Sequence, residues 1–408
     1  DEFDAGSHVP RDMIERFKQV GIYRAATPKC FGGDALAPHL FLHMIERISE
    51  ADGSAGWVAS FGSAGVYLAA LPRETLAELY AESPDLVFAG GLFPLQPAEA
   101  VDGGYQVNGT WKFASGCKGA DLLGVGIGAA GGKPRTAVFR PEQVEIVENW
   151  DVVGLKGTGS HDLRVSDKRV DERWTFIRGG AATIDEPLFR YPSIAYAAQV
   201  LAAVNLGLAR AALDEISRMA GGSGITGAPK LSDRAYVRIE IAKAEAKLAA
   251  ARGFFYNATE QVWNSIVAGN PVTPEQTSLL RLSAIHVSQA GAEVVQSAYS
   301  LAGTTAIYLR HPLQRYLRDS MVVTQHAFLS EGLYDGAGSV FLGVQPFPSP
   351  ALLVGLALLE VGRPADVVHI DHAPVGVEVE DLVHHRVEQA HVVADDDQRA
   401  GEAQQPRF

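Results

Sequence analysis

One histidine and three hydroxyls stand out in this sequence as side chains placed to do chemistry. His326 falls near the end of a helical pattern within Leu309–Gly343. There a His311-Pro312 turn signal leads into Leu313, Leu317, Met321 and Thr324 at helical spacing, and Arg315-Tyr316-Leu317-Arg318-Asp319 lies one turn in. An imidazole is a proton carrier near neutrality, with an unperturbed pKa of about 6.5. Ser115 stands in Trp111-Lys112-Phe113-Ala114-Ser115-Gly116-Cys117. Thr158 and Ser160 stand in the glycine-rich run Gly154 to Ser160, followed by His161-Asp162. Each has a plainer reading. A lone His on an apolar helix is usually a satisfied core residue, Ser115 a turn residue, His161 a loop cap and the glycine-rich run a simple connection.

The elements that must position these groups change character twice along the chain. Residues 1–84 read as helical: Met13, Ile14, Phe17 and Val20 mark an amphipathic segment, His39–Ser49 a helix, and Arg73–Ala81 another ended by Ser83-Pro84. Residues 85–180 read as an antiparallel β-domain. Strands are expected at Leu86–Gly90, Tyr105–Val107, Leu122–Gly126, Thr136–Phe139 and Arg169–Phe176, between turns at Asp102-Gly103-Gly104, Asn108-Gly109 and Gly131-Gly132-Lys133-Pro134. No G-x-G-x-x-G follows a strand, so no nicotinamide domain is expected. Residues 181–345 read as a helical bundle. Ile241, Leu248, Phe255 and Val262 repeat every seven residues, with Ala244, Ala251 and Ala258 filling the seam between. Residues 346–408 read as a disordered tail. His369, His372, His384, His385 and His391 lie in it without a metal-ligand spacing.

Composition narrows the function. With 408 residues, 47% of them apolar, there is room for two or three domains or one large fold with three regions. A net charge of −13 argues against a nucleic-acid partner. Two cysteines, Cys30 and Cys117, make neither a disulfide framework nor a zinc site and suit a reducing cytoplasm. The longest apolar run, Ala351–Leu359, is too short for a bilayer, which needs about 20 residues. The chain begins at Asp1, which points to a processed or incomplete N-terminus.

The helical–β–helical plan, with its motifs in order, resembles the acyl-CoA dehydrogenase superfamily over about residues 10–345. The motifs are Lys29-Cys30-Phe31-Gly32-Gly33, Asp52 to Trp57, Asn108-Gly109 with Trp111 to Cys117, Gly154 to Asp162, Leu301-Ala302-Gly303-Thr304-Thr305, and Arg318-Asp319. The resemblance implies an α+β fold with an N-terminal helical region, a central antiparallel β-domain and a C-terminal four-helix bundle, assembled as a homotetramer. A dehydrogenase needs a carboxylate base, yet Ala327 stands where one family type carries it and Ala198-Gln199 where the other does.

His326 in this place instead resembles the two-component flavin-dependent monooxygenases. Those take reduced flavin, FMN or FAD, from a separate flavin reductase and oxygenate a small molecule through a C4a-hydroperoxyflavin. By that resemblance His326 and Ser115 are catalytic, and Trp111, Phe113, Ser115, Gly157, Thr158, Ser160, Gly303 and Thr304 hold the flavin. Phe61, Gly65, Tyr67 and Phe93 line the substrate pocket. Ser115 to Asp121 is similar to the matching stretch of dibenzothiophene-type monooxygenases. Phenol-hydroxylating relatives often carry a His where this chain has Gly65, and Thr324 to Phe328 is similar to the nitrososynthases. Amine N-oxygenation is therefore expected ahead of attack on an aromatic or sulfur heterocycle. A dehydrogenase-like oxidoreductase and a non-catalytic member of the fold are the other readings.

Overall fold

The computed structural model describes residues 2–128, 132–222 and 229–344. The tail expected at 346–408, with its five histidines, lies outside them. The N-terminal helices are α1 (Glu2–Gly6), α2 (Arg11–Gln19), α3 (Pro38–Ala51), α4 (Gly53–Ala59), α5 (Gly65–Leu68) and α6 (Arg73–Leu79). Met13, Ile14 and Phe17 of α2 are buried, as the amphipathic pattern requires. Asp52 ends α3 and caps α4, its carboxylate accepting from the Ala55 amide at 2.9 Å.

Seven strands follow: β1 (Phe88–Val101), β2 (Gly104–Ala114), β3 (Leu122–Gly128), β4 (Arg135–Phe139), β5 (Glu145–Val147), β6 (His161–Asp171) and β7 (Thr175–Ile177). They form one sheet in the order β5-β6-β2-β1-β3-β4-β7. The sheet is antiparallel except that β1 and β3 run parallel, so it is mixed rather than wholly antiparallel. After β2 leaves β1, the 117–121 segment returns the chain to the start of β1, and β3 can pair there only in the same direction. Asn108-Gly109 is not a turn. The turn lies at Gly103 (φ +70°), and Asn108-Gly109 is absorbed into β2 as a register shift against β6. The strand expected at Arg169–Phe176 is two, because Glu172–Trp174 forms a turn that sends β7 across to β4.

The bundle comprises α7 (Ser193–Gly221), α8 (Ala235–Val267), α9 (Pro274–Ala302) and α10 (Pro312–Thr324), with α11 (Tyr334–Leu342) packed on α9. α7 is long and apolar enough to cross a membrane, yet it is buried here among α3, α9 and α10. Asn205 ties three helices together: its Nδ2 donates to Ser288 O at 2.8 Å and Ser320 O at 3.2 Å. The heptad seam of α8 faces inward at Ala244, Leu248, Ala251, Phe255, Ala258 and Val262. One hydrophobic core runs through all three regions.

Candidate active site

The β-side of the site forms where β2 ends. Register slips between Trp111 and Ala114, and Phe113 takes the left-handed conformation (φ +63°), which turns its ring outward. Such backbone strain in a non-glycine residue is held by its surroundings and clusters at functional sites. The Phe113 ring is 58% exposed and meets Trp150 edge-on at 6.4 Å. Next along the chain, Gly116 (φ +72°) donates its amide to Thr158 O at 2.7 Å, joining this turn to the glycine-rich loop. Three hydroxyls then line up: Ser115 Oγ is 2.6 Å from Ser160 Oγ, Ser160 Oγ is 2.7 Å from Thr158 Oγ1, and Thr158 donates to Leu155 O at 2.8 Å.

Asp319 and Arg318 of α10 hold that loop. The buried Asp319 carboxyl accepts from the Leu155 amide at 2.6 Å, and Arg318 donates to Val153 O. Gly154 lies so close to α10 that a Cβ there would fall 2.5 Å from the Arg318 backbone. Arg315 reaches Asp52, the α4 cap, at 3.5 Å. The Arg315-to-Asp319 segment therefore fixes the hydroxyl loop and α4 relative to each other. Burial, with Asp52 beside it, pushes the Asp319 carboxyl up to about 7.

The helical side carries the aromatic groups. A Cβ on Gly116 would come 3.3 Å from the Phe61 ring, so Phe61 adjoins the Ser115 turn. Trp57 on α4 meets the His326 ring at 5.6 Å, and His326 meets Phe328 at 5.1 Å, both edge-on. Arg178, the residue after β7, lies over the Tyr67 ring at 5.3 Å and the Phe328 ring at 5.2 Å.

His326 is not on the helix. α10 stops at Thr324, and His326 occupies the turn that leads to α11, its amide donating to Val323 O at 3.2 Å. The helical pattern read across Leu309–Gly343 is thus two helices, because the chain must reverse for α11 to pack on α9. His326 Nδ1 accepts from the Phe328 amide at 3.2 Å, so the neutral ring carries its proton on Nε2. Burial, with Arg178 nearby, lowers its pKa to about 4. The imidazole is therefore neutral at ordinary pH, rather than half-protonated as its unperturbed value suggests.

The structure brings Ser115, Thr158 and Ser160 together, sets Phe61 against the Ser115-Gly116 turn, and links Tyr67 to His326 through Arg178 and Phe328. It disperses the others. Trp111 is wholly buried, donating to Gly126 O at 2.7 Å, and has no surface to offer a ligand. A Cβ on Gly157 would lie 2.7 Å from Phe3 and 2.9 Å from Ser54, so this glycine serves packing against α1 and α4. Gly303 and Thr304 are exposed at the end of α9. A Cβ on Gly65 would fall 2.1 Å from Ala26 O, so Gly65 packs closely against a neighbouring backbone. Phe93 is 58% exposed on β1, opposite Lys112. Arg178 and Phe328 were not foreseen. The one available signal was a cation ending the apolar strand Thr175-Phe176-Ile177 just before Gly179-Gly180. Neither dehydrogenase base position holds a carboxylate: Gln199 is buried between Tyr191 and Thr259, and Ala327 is exposed.

A family model for the acyl-CoA dehydrogenase C-terminal domain matches residues 199–331. The chain is 55% identical over 352 residues to the indole-3-acetate monooxygenase of Pseudomonas putida, covering 85% of this chain and 90% of that one. It is 48% identical over 353 residues to the indole-3-acetate monooxygenase of Acinetobacter baumannii, covering 85% and 91%. The flavin-dependent monooxygenase oxygenase subunit HsaA of Mycobacterium tuberculosis is 27% identical over 336 residues, covering 78% and 85%. A crystal structure of the HsaA monooxygenase from that organism superposes with a TM-score of 0.79 at 25% identity, covering 85% of this chain and 93% of that one.

Proposed function

Since the chain belongs to the two-component flavin-dependent monooxygenases of the acyl-CoA dehydrogenase fold, we propose that it oxygenates an indole-type aromatic substrate, indole-3-acetate being the first compound to test. Its cofactors are reduced flavin and O₂. The observation that carries the substrate reading is the run of edge-on rings Trp57, His326 and Phe328, together with the Phe61 ring adjoining the Ser115-Gly116 turn.

The hydroxyl relay fits a reduced flavin. Thr158 uses its only hydroxyl proton on Leu155 O, so Ser160 donates to Thr158 and Ser115 donates to Ser160. Ser115 then offers lone pairs to a ligand. A reduced flavin ring has an N–H that the oxidised ring lacks, and a serine held as an acceptor matches the reduced form. A bound reduced flavin supplies two electrons to O₂, so one oxygen atom enters the substrate and the other leaves as water. His326 donates from Nε2 and holds a proton in place near neutrality. Trp57, Phe61 and Phe328 keep water from the reacting groups.

The amine expectation drew on the missing His at Gly65 and on the Thr324 to Phe328 run. A Cβ at Gly65 would fall 2.1 Å from Ala26 O, which weakens the first ground, and the indole-3-acetate monooxygenases among the relatives favour an aromatic substrate. The reduced flavin comes from a separate reductase. Self-association as a tetramer is supported by the exposed Ile307, Tyr308 and Leu309 beside Gly303 and Thr304.

The test is turnover of the full chain with a flavin reductase, NADH, O₂ and indole-3-acetate. A product one oxygen atom heavier, formed in place of hydrogen peroxide, supports the proposal. Peroxide alone with indoles, together with an N-oxidised product from an amino-sugar nucleotide, would overturn it.

A further inference from the structure

Arg178 is a half-buried cation with no carboxylate partner among the described residues. Its guanidinium lies over the rings of Tyr67 and Phe328, and no hydrogen bond or ion pair joins it to a carboxylate among the described residues. The acids where β6 ends and the turn to β7 begins are engaged elsewhere: Glu172 lies 3.6 Å from Arg135, and Asp171 lies 3.6 Å from Arg169. Burial lowers the affinity of Arg178 for its proton, and the Tyr67 phenol offsets this only in part. A cation taken out of water costs free energy unless an opposite charge meets it. A guanidinium has five N–H donors in a planar fork, the geometry that binds a carboxylate with two parallel hydrogen bonds. Aromatic faces hold the cation at the edge of the strip that contains Trp57 and His326, so an anion meeting it would be attached to whatever ring occupies that strip.

We propose that Arg178 is the specificity-determining residue of this site: it pairs with the carboxylate of an aryl-acetate-type substrate and so selects ring acids over their neutral congeners. This rests on the reading of the substrate as an indole-type aromatic. It adds the group that recognises the side chain of that ring and the chemical class the site rejects.

The probe pair is indole-3-acetate and indole-3-acetamide, which share a ring and an arm and differ in charge. Binding of each to the full chain is measured by titration calorimetry under anaerobic conditions with reduced flavin present, for the native protein and for Arg178→Gln and Arg178→Lys. The native protein should favour the acetate by about 10- to 100-fold, the range of one charge-assisted pairing. Arg178→Gln should bring that ratio close to one, and Arg178→Lys should retain part of it, since an ammonium keeps the charge without the fork. The ratio is internal to each protein, so a variant with a smaller folded fraction still reports it. Equal binding of the two ligands by the native protein would overturn the proposal. So would a ratio that Arg178→Gln leaves intact, the result expected of an arginine that merely struts two rings. Failure of the function reading looks different: the native protein would bind the acid but give no oxygenated product, while the Arg178-dependent ratio would stand.

Discussion

The Ser115 hydroxyl lies 2.6 Å from the Ser160 hydroxyl, and the bonding beyond Ser160 fixes the direction of the proton between them. Ser160→Ala removes that constraint, and Ser115 is then free to turn its proton outward. Losing one neutral hydrogen bond is worth about 1 kcal/mol, or roughly five-fold in binding. The preference for reduced over oxidised flavin should therefore fall by about that factor, and more in Ser115→Ala. Anaerobic and aerobic flavin titrations of each variant read it. An unchanged preference in Ser160→Ala would mean that Ser115 is not oriented by the relay.

Asp319 links stability to pH with an unusual sign. Burial and Asp52 raise its folded pKa to about 7, from a reference value of 3.8. Between those values the unfolded chain has lost the proton that the folded chain keeps, so the folded state binds more protons and stability falls as pH rises. The contribution is complete below about pH 4 and is lost through about pH 7. Arg315, Asp52 and Asp4 act on this carboxyl, and the Leu155 amide bonds to it. Asp319→Asn keeps an acceptor for Leu155 and does not titrate, so its urea midpoint should lack this fall between pH 5 and pH 8. Parallel midpoint curves for Asp319→Asn and the native protein would assign the effect elsewhere. Asp319→Ala leaves the Leu155 amide and Arg315 without this partner, at a cost of about 3 kcal/mol or more.

How legible this site was in the sequence depended on whether a role lay in one segment or between several. The hydroxyl cluster was legible because Ser115 and the Gly154–Ser160 loop carry their own turn chemistry. The bundle was legible because the α8 seam repeats every seven residues. For Trp111 and Gly157 the sequence does not show the packing, because which neighbour such residues meet depends on tertiary structure, and here they meet Gly126 O, Phe3 and Ser54. The parallel pairing of β1 and β3 depends on the chain's path between strands, which local alternation does not encode. Arg178 was invisible because its role needs Tyr67 and Phe328, 111 and 150 residues away, to arrive at the same place.

His326 should not show itself as an acid limb near pH 6.5. Burial and the Arg178 charge lower its pKa to about 4, while Trp57 and Phe328 face it with rings that do not titrate in this range. Product formation per reduced flavin consumed should stay flat from about pH 5.5 to pH 8 as far as this residue is concerned. His326→Ala should still bind flavin but release peroxide in place of product. A limb near pH 6.5 in the native protein that disappears in His326→Asn would contradict this assignment of a fixed neutral donor.

Two glycines should respond oppositely to the same added methyl group. Gly207 of α7 crosses α3 so closely that a Cβ would lie 2.2 Å from Glu46 O, 2.6 Å from Ser49 Cβ and 2.8 Å from Glu50 N. Backbone atoms of a packed helix cannot rotate away, so Gly207→Ala must push α3 from α7, and overpacking of this kind costs about 3 kcal/mol. α3 leads through Asp52 into α4, so the displacement should also move Trp57 relative to His326. Gly253 lies on an exposed face of α8 with nothing within 4 Å of its Cβ position. Gly253→Ala removes unfolded-state freedom without strain and should stabilise by about 0.5–1 kcal/mol. Urea unfolding of both variants gives the comparison. Equal and small effects would mean that the α3–α7 crossing is looser than these distances describe.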